Sequence, residues 1–156
     1  MRRRLVSRPP AGLLAALLLL GAAPRVHAQY SVTQVQPLAF GYLTPGVTEV
    51  VGYQDAFRRG VVALDGTGNV FVRVLMPAQL LSPQGGTIPL QFLAGDLAAQ
   101  DAGKPPQAFD PAGSTRVNLA KGTGLLLIGG RALPAASQLA GSYSATMVVV
   151  VSSMKF

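Results

Sequence analysis

Ser152-Ser153-Met154-Lys155 has the S-x-x-K spacing in which a lysine amine can activate a serine hydroxyl for acyl transfer. That chemistry needs the serine at a helix start and partner motifs elsewhere in the chain. Here the tetrapeptide ends a Val-rich run with strand character and the partners are missing, so the match is read as chance. Asp65-Gly66-Thr67-Gly68 approaches the D-T-G loop of aspartyl catalysis, but no second copy supplies the other carboxylate. An Asp-Gly pair between apolar runs reads instead as a hairpin turn, because both residues tolerate positive φ. Lys121-Gly122-Thr123-Gly124 has a lysine and glycines without phosphate-loop spacing and reads as a turn. The carboxylates Glu49, Asp55, Asp65, Asp96, Asp101 and Asp110 are scattered through turn-like segments, and no spacing selects an acid–base pair. Asp96, Asp101 and Asp110 leave room only for a weak calcium site, and their spacing fits no known loop. Arg58-Arg59 is read as a solvated strand end.

The basic residues tell a different story from the acidic ones. Arg2, Arg3, Arg4 and Arg8 precede an apolar stretch from Ala11 to Ala23. As a helix that stretch spans roughly 20 Å, short of the roughly 30 Å hydrocarbon core of a bilayer. Pro24 follows, and Val26-His27-Ala28 places compact residues where a signal peptidase reads. Residues 1–28 are therefore expected to be a cleaved signal peptide, cut between Ala28 and Gln29. The Leu-rich centre favours the general secretory route over a twin-arginine route, and the absence of Cys excludes a lipoprotein. Five of the 13 basic residues lie before the cut, which leaves eight against six acidic ones. A net charge of about +2 removes the main support for nucleic-acid binding. The single His also precedes the cut, so transition-metal ligands and nucleophile–histidine pairs are lacking.

Residues 29–156 then make one domain that must be held by packing and backbone pairing, since no disulfide can form. Frequent Gly and Pro with few acidic residues favour short strands over helices. Tyr30 to Gln36, Val47 to Gly52, Val61 to Leu64 and Ser114 to Leu119 read as strands, as does Gly124 to Ile128. Val70 to Met76 alternates, with Val70, Val72 and Val74 on one face and Phe71, Arg73 and Leu75 on the other. Thr87 to Leu93 contains Pro89, which cannot donate to a ladder, so an edge position is expected. Ala135 to Ala140 has room for one helical turn. The last run is the longest. Ser142, Ser144 and Thr146 alternate with apolar residues, and Met147 to Val151 is apolar on both faces. That pattern predicts a strand crossing the middle of a packed structure. About seven strands in this length predict an all-β, immunoglobulin-like β-sandwich. A small outer-membrane barrel is disfavoured, because few strands look long enough and no aromatic girdle is visible.

Three segments resemble one family of exported bacterial domains. Leu38-Ala39-Phe40-Gly41 with Pro45-Gly46 resembles its opening L-x-F-G … P-G. Ile128-Gly129-Gly130-Arg131-Ala132-Leu133 resembles its G-G-x-L step. Gln138-Leu139-Ala140-Gly141-Ser142-Tyr143-Ser144 resembles its Q-x-A-G-x-Y-x-G ending, with Ala145 at the last glycine. The family is domain of unknown function 4402, which is similar to spore-coat protein U and pilin-like sandwich domains. The resemblance implies the sandwich fold, an extracytoplasmic place and no assigned reaction. The motif residues to be located are Phe40, Gly41, Gly129, Gly130, Gly141 and Tyr143.

The expected function is non-enzymatic, with no catalytic, metal or cofactor-binding residue. The chain reads as an exported structural or assembly subunit of the bacterial periplasm or cell surface, working by strand pairing with identical or related subunits. Tyr30 to Gln36 is a candidate donated strand and Met147 to Phe156 a candidate acceptor or edge. The alternative is a solitary adhesin-like binding module that uses loops Gln79–Gly86 and Gly95–Gly113.

Overall fold

Val70, Val72 and Val74 are buried while Phe71, Arg73 and Leu75 face outward, as alternation over this run predicts. The computed structural model describes residues 30–153, so the expected signal helix and the Ala28–Gln29 cut lie outside the described residues. Twelve strands are present among the described residues and helices are absent. In chain order they begin with β1 (Tyr30–Gln36), β2 (Glu49–Val51), β3 (Gly60–Gly66) and β4 (Asn69–Leu75). Next come β5 (Gln79–Leu81), β6 (Thr87–Gln91), β7 (Leu97–Gln100) and β8 (Gln107–Phe109). The last are β9 (Thr115–Asn118), β10 (Gly124–Ile128), β11 (Gly130–Ala132) and β12 (Val148–Ser153).

These strands form three antiparallel sheets. A five-stranded sheet has the order β1-β3-β10-β7-β8, a four-stranded sheet β2-β11-β6-β5, and a three-stranded sheet β12-β4-β9. The main core lies between the first and the last of these. Val62, Leu64, Leu97, Leu126 and Ile128 meet Val70, Val72, Val74 and Val117 there, all buried. Fully burying one such side chain is worth roughly 1.5–3 kcal/mol, so this cluster is the largest favourable contribution visible in the fold. The outer face of the five-stranded sheet is also covered: Val61, Ala98 and Leu127 pack under Tyr53. That second cover is why β3 is buried on both faces over Gly60–Leu64. A third cluster of Phe40, Val51, Ile88 and Ala132 belongs to the four-stranded sheet. The protein is an all-β sandwich.

The five- and four-stranded sheets are joined where β10 runs into β11 through Gly129. A Cβ at Gly129 would lie 2.3 Å from the Val51 carbonyl oxygen and 2.8 Å from the Tyr53 nitrogen, so only glycine fits. Gly129 N–H donates to the Asp96 carbonyl at 2.8 Å, which fixes the corner. Beside it, a Cβ at Gly130 would strike the Phe92 ring at 2.6 Å. The glycines of the Ile128–Leu133 step are thus explained by close approach of backbone and ring.

Several expectations are corrected. The strand count exceeds seven because β2, β5, β8 and β11 are three-residue strands whose sequences carry little period. Asp65-Gly66 does not close a hairpin: both edges of β3 are taken by β1 and β10, and β4 pairs with β9 and β12. The turn instead carries the chain from one sheet to another, held by Leu119 N–H donating to the Gly68 carbonyl at 2.7 Å. Pro89 is not on an edge strand, since β6 lies between β11 and β5. In an antiparallel strand a residue's N–H and C=O point to the same neighbour. The Pro89 carbonyl accepts from Leu133, one residue past the end of β11, so the missing donor faces the frayed end of that pairing. Ala135–Gln138 closes as a single turn through Gln138 N–H to the Ala135 carbonyl, without a helix. The terminal run does not cross the middle of the structure. Among the described residues Ser142–Met147 makes one bridge, Ser144 with Leu81, and β12 is an edge strand paired with β4 alone.

Candidate functional site

The motif residues separate into two places. Phe40, Gly41, Gly141 and Tyr143 line one cleft of about 840 Å³, whereas Gly129 and Gly130 sit at the sheet corner. Two irregular segments, 37–45 and 138–147, form its walls, and Leu80, Ile88, Leu90 and Phe92 form an apolar floor. No lining residue carries a charge. Phe40 is buried in the floor's cluster, and Tyr143 packs against the same cluster. The Tyr143 hydroxyl donates to the Leu139 carbonyl at 2.8 Å and accepts from Gln138 Nε2 at 2.7 Å. This closes the Gln138–Tyr143 wall on itself. Gly86 gives the ring its space, because a Cβ there would lie 2.5 Å from the Tyr143 oxygen. Gly41 adopts φ of 74°, a left-handed turn that glycine favours, and Tyr42 follows it fully exposed to solvent.

A second surface lies on the three-stranded sheet. Along β12, Val149 and Val151 lean on the main core, and Val148 and Val150 are 51% and 46% exposed. The register places Val148 opposite Leu75, Val150 opposite Arg73 and Ser152 opposite Phe71. Phe71 and Leu75 are exposed as well. The outward face of this sheet therefore carries four large apolar side chains, and among the described residues β12 has no strand on its far side.

Of the scattered carboxylates, Glu49 and Asp55 meet at one guanidinium. Arg58 bridges Asp55 at 2.8 Å and Glu49 at 2.5 Å, tying the 52–59 loop to β2. Arg58 is thus ion-paired while its side chain stays 41% exposed, and Arg59 donates to the Tyr53 carbonyl at 3.0 Å. The Arg58 guanidinium, with the amides of Phe57 and Arg58, holds the Asp55 carboxyl below the usual range. Asp101 accepts from Asn118 N–H at 2.8 Å and from Lys104 at 2.8 Å, and its pKa is lowered for those reasons in that order. Asp96 is buried and accepts from Leu93 N–H at 2.7 Å, with Arg131 Nε 3.6 Å away. Asp110 caps Ala112 N–H at 2.8 Å, and Asp65 accepts from the Thr123 hydroxyl. Each carboxylate thus holds a turn or a loop. Among the described residues no group of three His, Cys, Asp or Glu side chains is placed to hold a metal ion. Ser152 lies on β12 with its hydroxyl turned to the Phe71 carbonyl, so it lacks the helix start that S-x-x-K chemistry requires.

Sequence reasoning missed Tyr42, and it missed the apolar outer face of β4. A signal existed for each. Tyr42 stands directly after the motif glycine, where an aromatic in a turn has no core to enter. Phe71 and Leu75 occupy the face that alternation assigns to solvent. No family model matches the chain, and no curated protein matches it.

Proposed function

We propose that the chain is an exported structural or assembly subunit that associates with further copies of itself through the β12 edge. The observation that carries this reading is the pairing of an open edge with an apolar face on one strand. Among the described residues β12 leaves one row of backbone N–H and C=O groups unpaired, while Val148 and Val150 expose apolar surface beside it. An edge of this kind is a ready template for another strand, and the neighbouring valines add burial once a second chain arrives. The leader-like residues 1–28 and the resemblance to coat and pilin-like sandwiches support the extracytoplasmic part of the reading.

The chain has no Cys, which allows a direct test. Val150→Cys should form a disulfide-linked dimer under mild oxidation, and Val47→Cys, exposed on a loop away from β12, should not. Equal cross-linking of the two variants, or none for Val150→Cys together with a monomer at every concentration in sedimentation, would remove the proposal.

A further inference from the structure

The cleft between segments 37–45 and 138–147 has the volume of a ligand site and does not use the β12 edge. Its chemistry is narrow. The lining is uncharged, which disfavours ionic ligands. Tyr42 stands at the rim with its ring entirely in water and packs against no core cluster. The walls are polar in their backbone. No amide N–H of Phe40–Leu43 or Leu139–Tyr143 donates to another described residue. An acyl chain laid in the cleft would strip water from these amides without replacing their hydrogen bonds, an uncompensated loss for each amide covered. An extended peptide fits less well, because neither wall is a strand, and the one regular contact, Ser144 with Leu81, already uses both backbone groups of Ser144.

A neutral sugar meets all three conditions. A pyranose ring has an apolar face of C–H groups that stacks on an aromatic ring, and a rim of hydroxyls that takes irregularly placed donors and acceptors. We propose that this cleft binds a neutral oligosaccharide, with Tyr42 as the stacking platform and the free wall amides and the Ser142 hydroxyl as its polar contacts. Tyr143 acts as a positioning residue, since its hydroxyl holds the Gln138–Leu139 wall in place.

The test is a titration of the purified exported protein with cellohexaose, maltohexaose and chitohexaose, followed by amide NMR shifts and calorimetry. At least one probe should bind at millimolar or lower concentration and shift amides of the two walls. Tyr42→Ala should weaken that binding about tenfold, roughly 1.4 kcal/mol, and Tyr42→Phe should keep it. Because Tyr42 is fully exposed, both variants should melt as the unaltered protein does. The proposal is overturned if no probe shifts either wall at millimolar concentration, or if Tyr42→Ala binds as well as the unaltered protein. It is equally overturned if a fluorescent fatty acid, or a synthetic peptide of the uncharged Tyr30–Gln36 sequence, fills the cleft in place of all three sugars.

Discussion

Under the proposed assembly through β12, adjacent valines at its start should separate folding from association. Val149 leans on the main core, and Val148 is 51% exposed on the outward face. Asp at position 149 removes roughly 1 kcal/mol of apolar burial and places an incompletely solvated carboxylate against Val-rich surface, a further 1–3 kcal/mol or so. Against a total stability of roughly 5–15 kcal/mol, a loss of about 2–4 kcal/mol lowers the melting midpoint by roughly 10 °C. Asp at position 148 meets water instead, so its direct cost stays within about 0.5–1 kcal/mol, mostly the poorer strand preference of Asp. In a pair of copies joined at β12, however, it places a carboxylate on the apolar face that the second chain would cover. Val148→Asp should therefore melt within a few degrees of the unaltered protein yet sediment as a monomer at every concentration. Val149→Asp should lose its cooperative transition or show it at clearly lower temperature. Circular dichroism on heating and sedimentation velocity read the two effects apart. Equal losses of melting temperature in the two variants, or unchanged association of a folded Val148→Asp, would refute the division of β12 into a core side and an assembly side.

Two other outcomes follow from single sites. Gly129→Ala forces a methyl to 2.3 Å from the Val51 carbonyl, so the corner between β10 and β11 must open. It should cost more than about 3 kcal/mol in urea unfolding, and a loss near the roughly 1 kcal/mol of an ordinary small-to-larger change would show that the corner yields easily. The Asp101 pKa is lowered in the folded state by Asn118 N–H and then by Lys104, so its contribution is present above the ordinary carboxylate pKa and is lost as pH falls through the folded value. Asp101→Asn should thus be less stable than the unaltered protein at pH near 7, with the difference shrinking toward about pH 3, as followed by urea midpoints across that range.

What could be read from the residues depended on whether local or distant neighbours decide the outcome. The face assignment of β4 was legible because burial of Val70, Val72 and Val74 follows from alternation over seven residues. The motif residues were legible singly, but their convergence was not. Nothing in the sequence says that Phe40-Gly41 and Gly141–Tyr143, about a hundred positions apart, form opposite walls of one cleft. The Asp65–Gly68 turn failed for a non-local reason. Its chemistry permits a hairpin, and the occupation of β3 by β1 and β10 forbids one. The valine run failed differently. Apolar residues on both faces are compatible with burial inside one chain and with an edge whose outer side is covered by another chain, and no periodicity distinguishes them.

Among the described residues the three sheets offer six edges, and their differences favour β12 over β1 as the strand for assembly. β2, β5 and β8 are three residues long, too short to template much pairing. β9 has four residues with Arg116 exposed on it. β1 has seven residues and exposes Val32 and Val35 beside Ser31, Thr33 and Gln34, but its register slips at Val35 between Gln34 and Gln36. Short length, charge and bulges are the devices that keep sheet edges from joining. β12 has none of them: six residues in unbroken register with β4, four consecutive valines and no charge between Val148 and Ser153. Selection against unwanted pairing would be expected to interrupt such a strand with a Lys or a Pro. Its continuity is what a strand used for pairing requires, and it makes Tyr30–Gln36, with its bulge and its polar residues interrupting the exposed valines, the poorer of the two candidates.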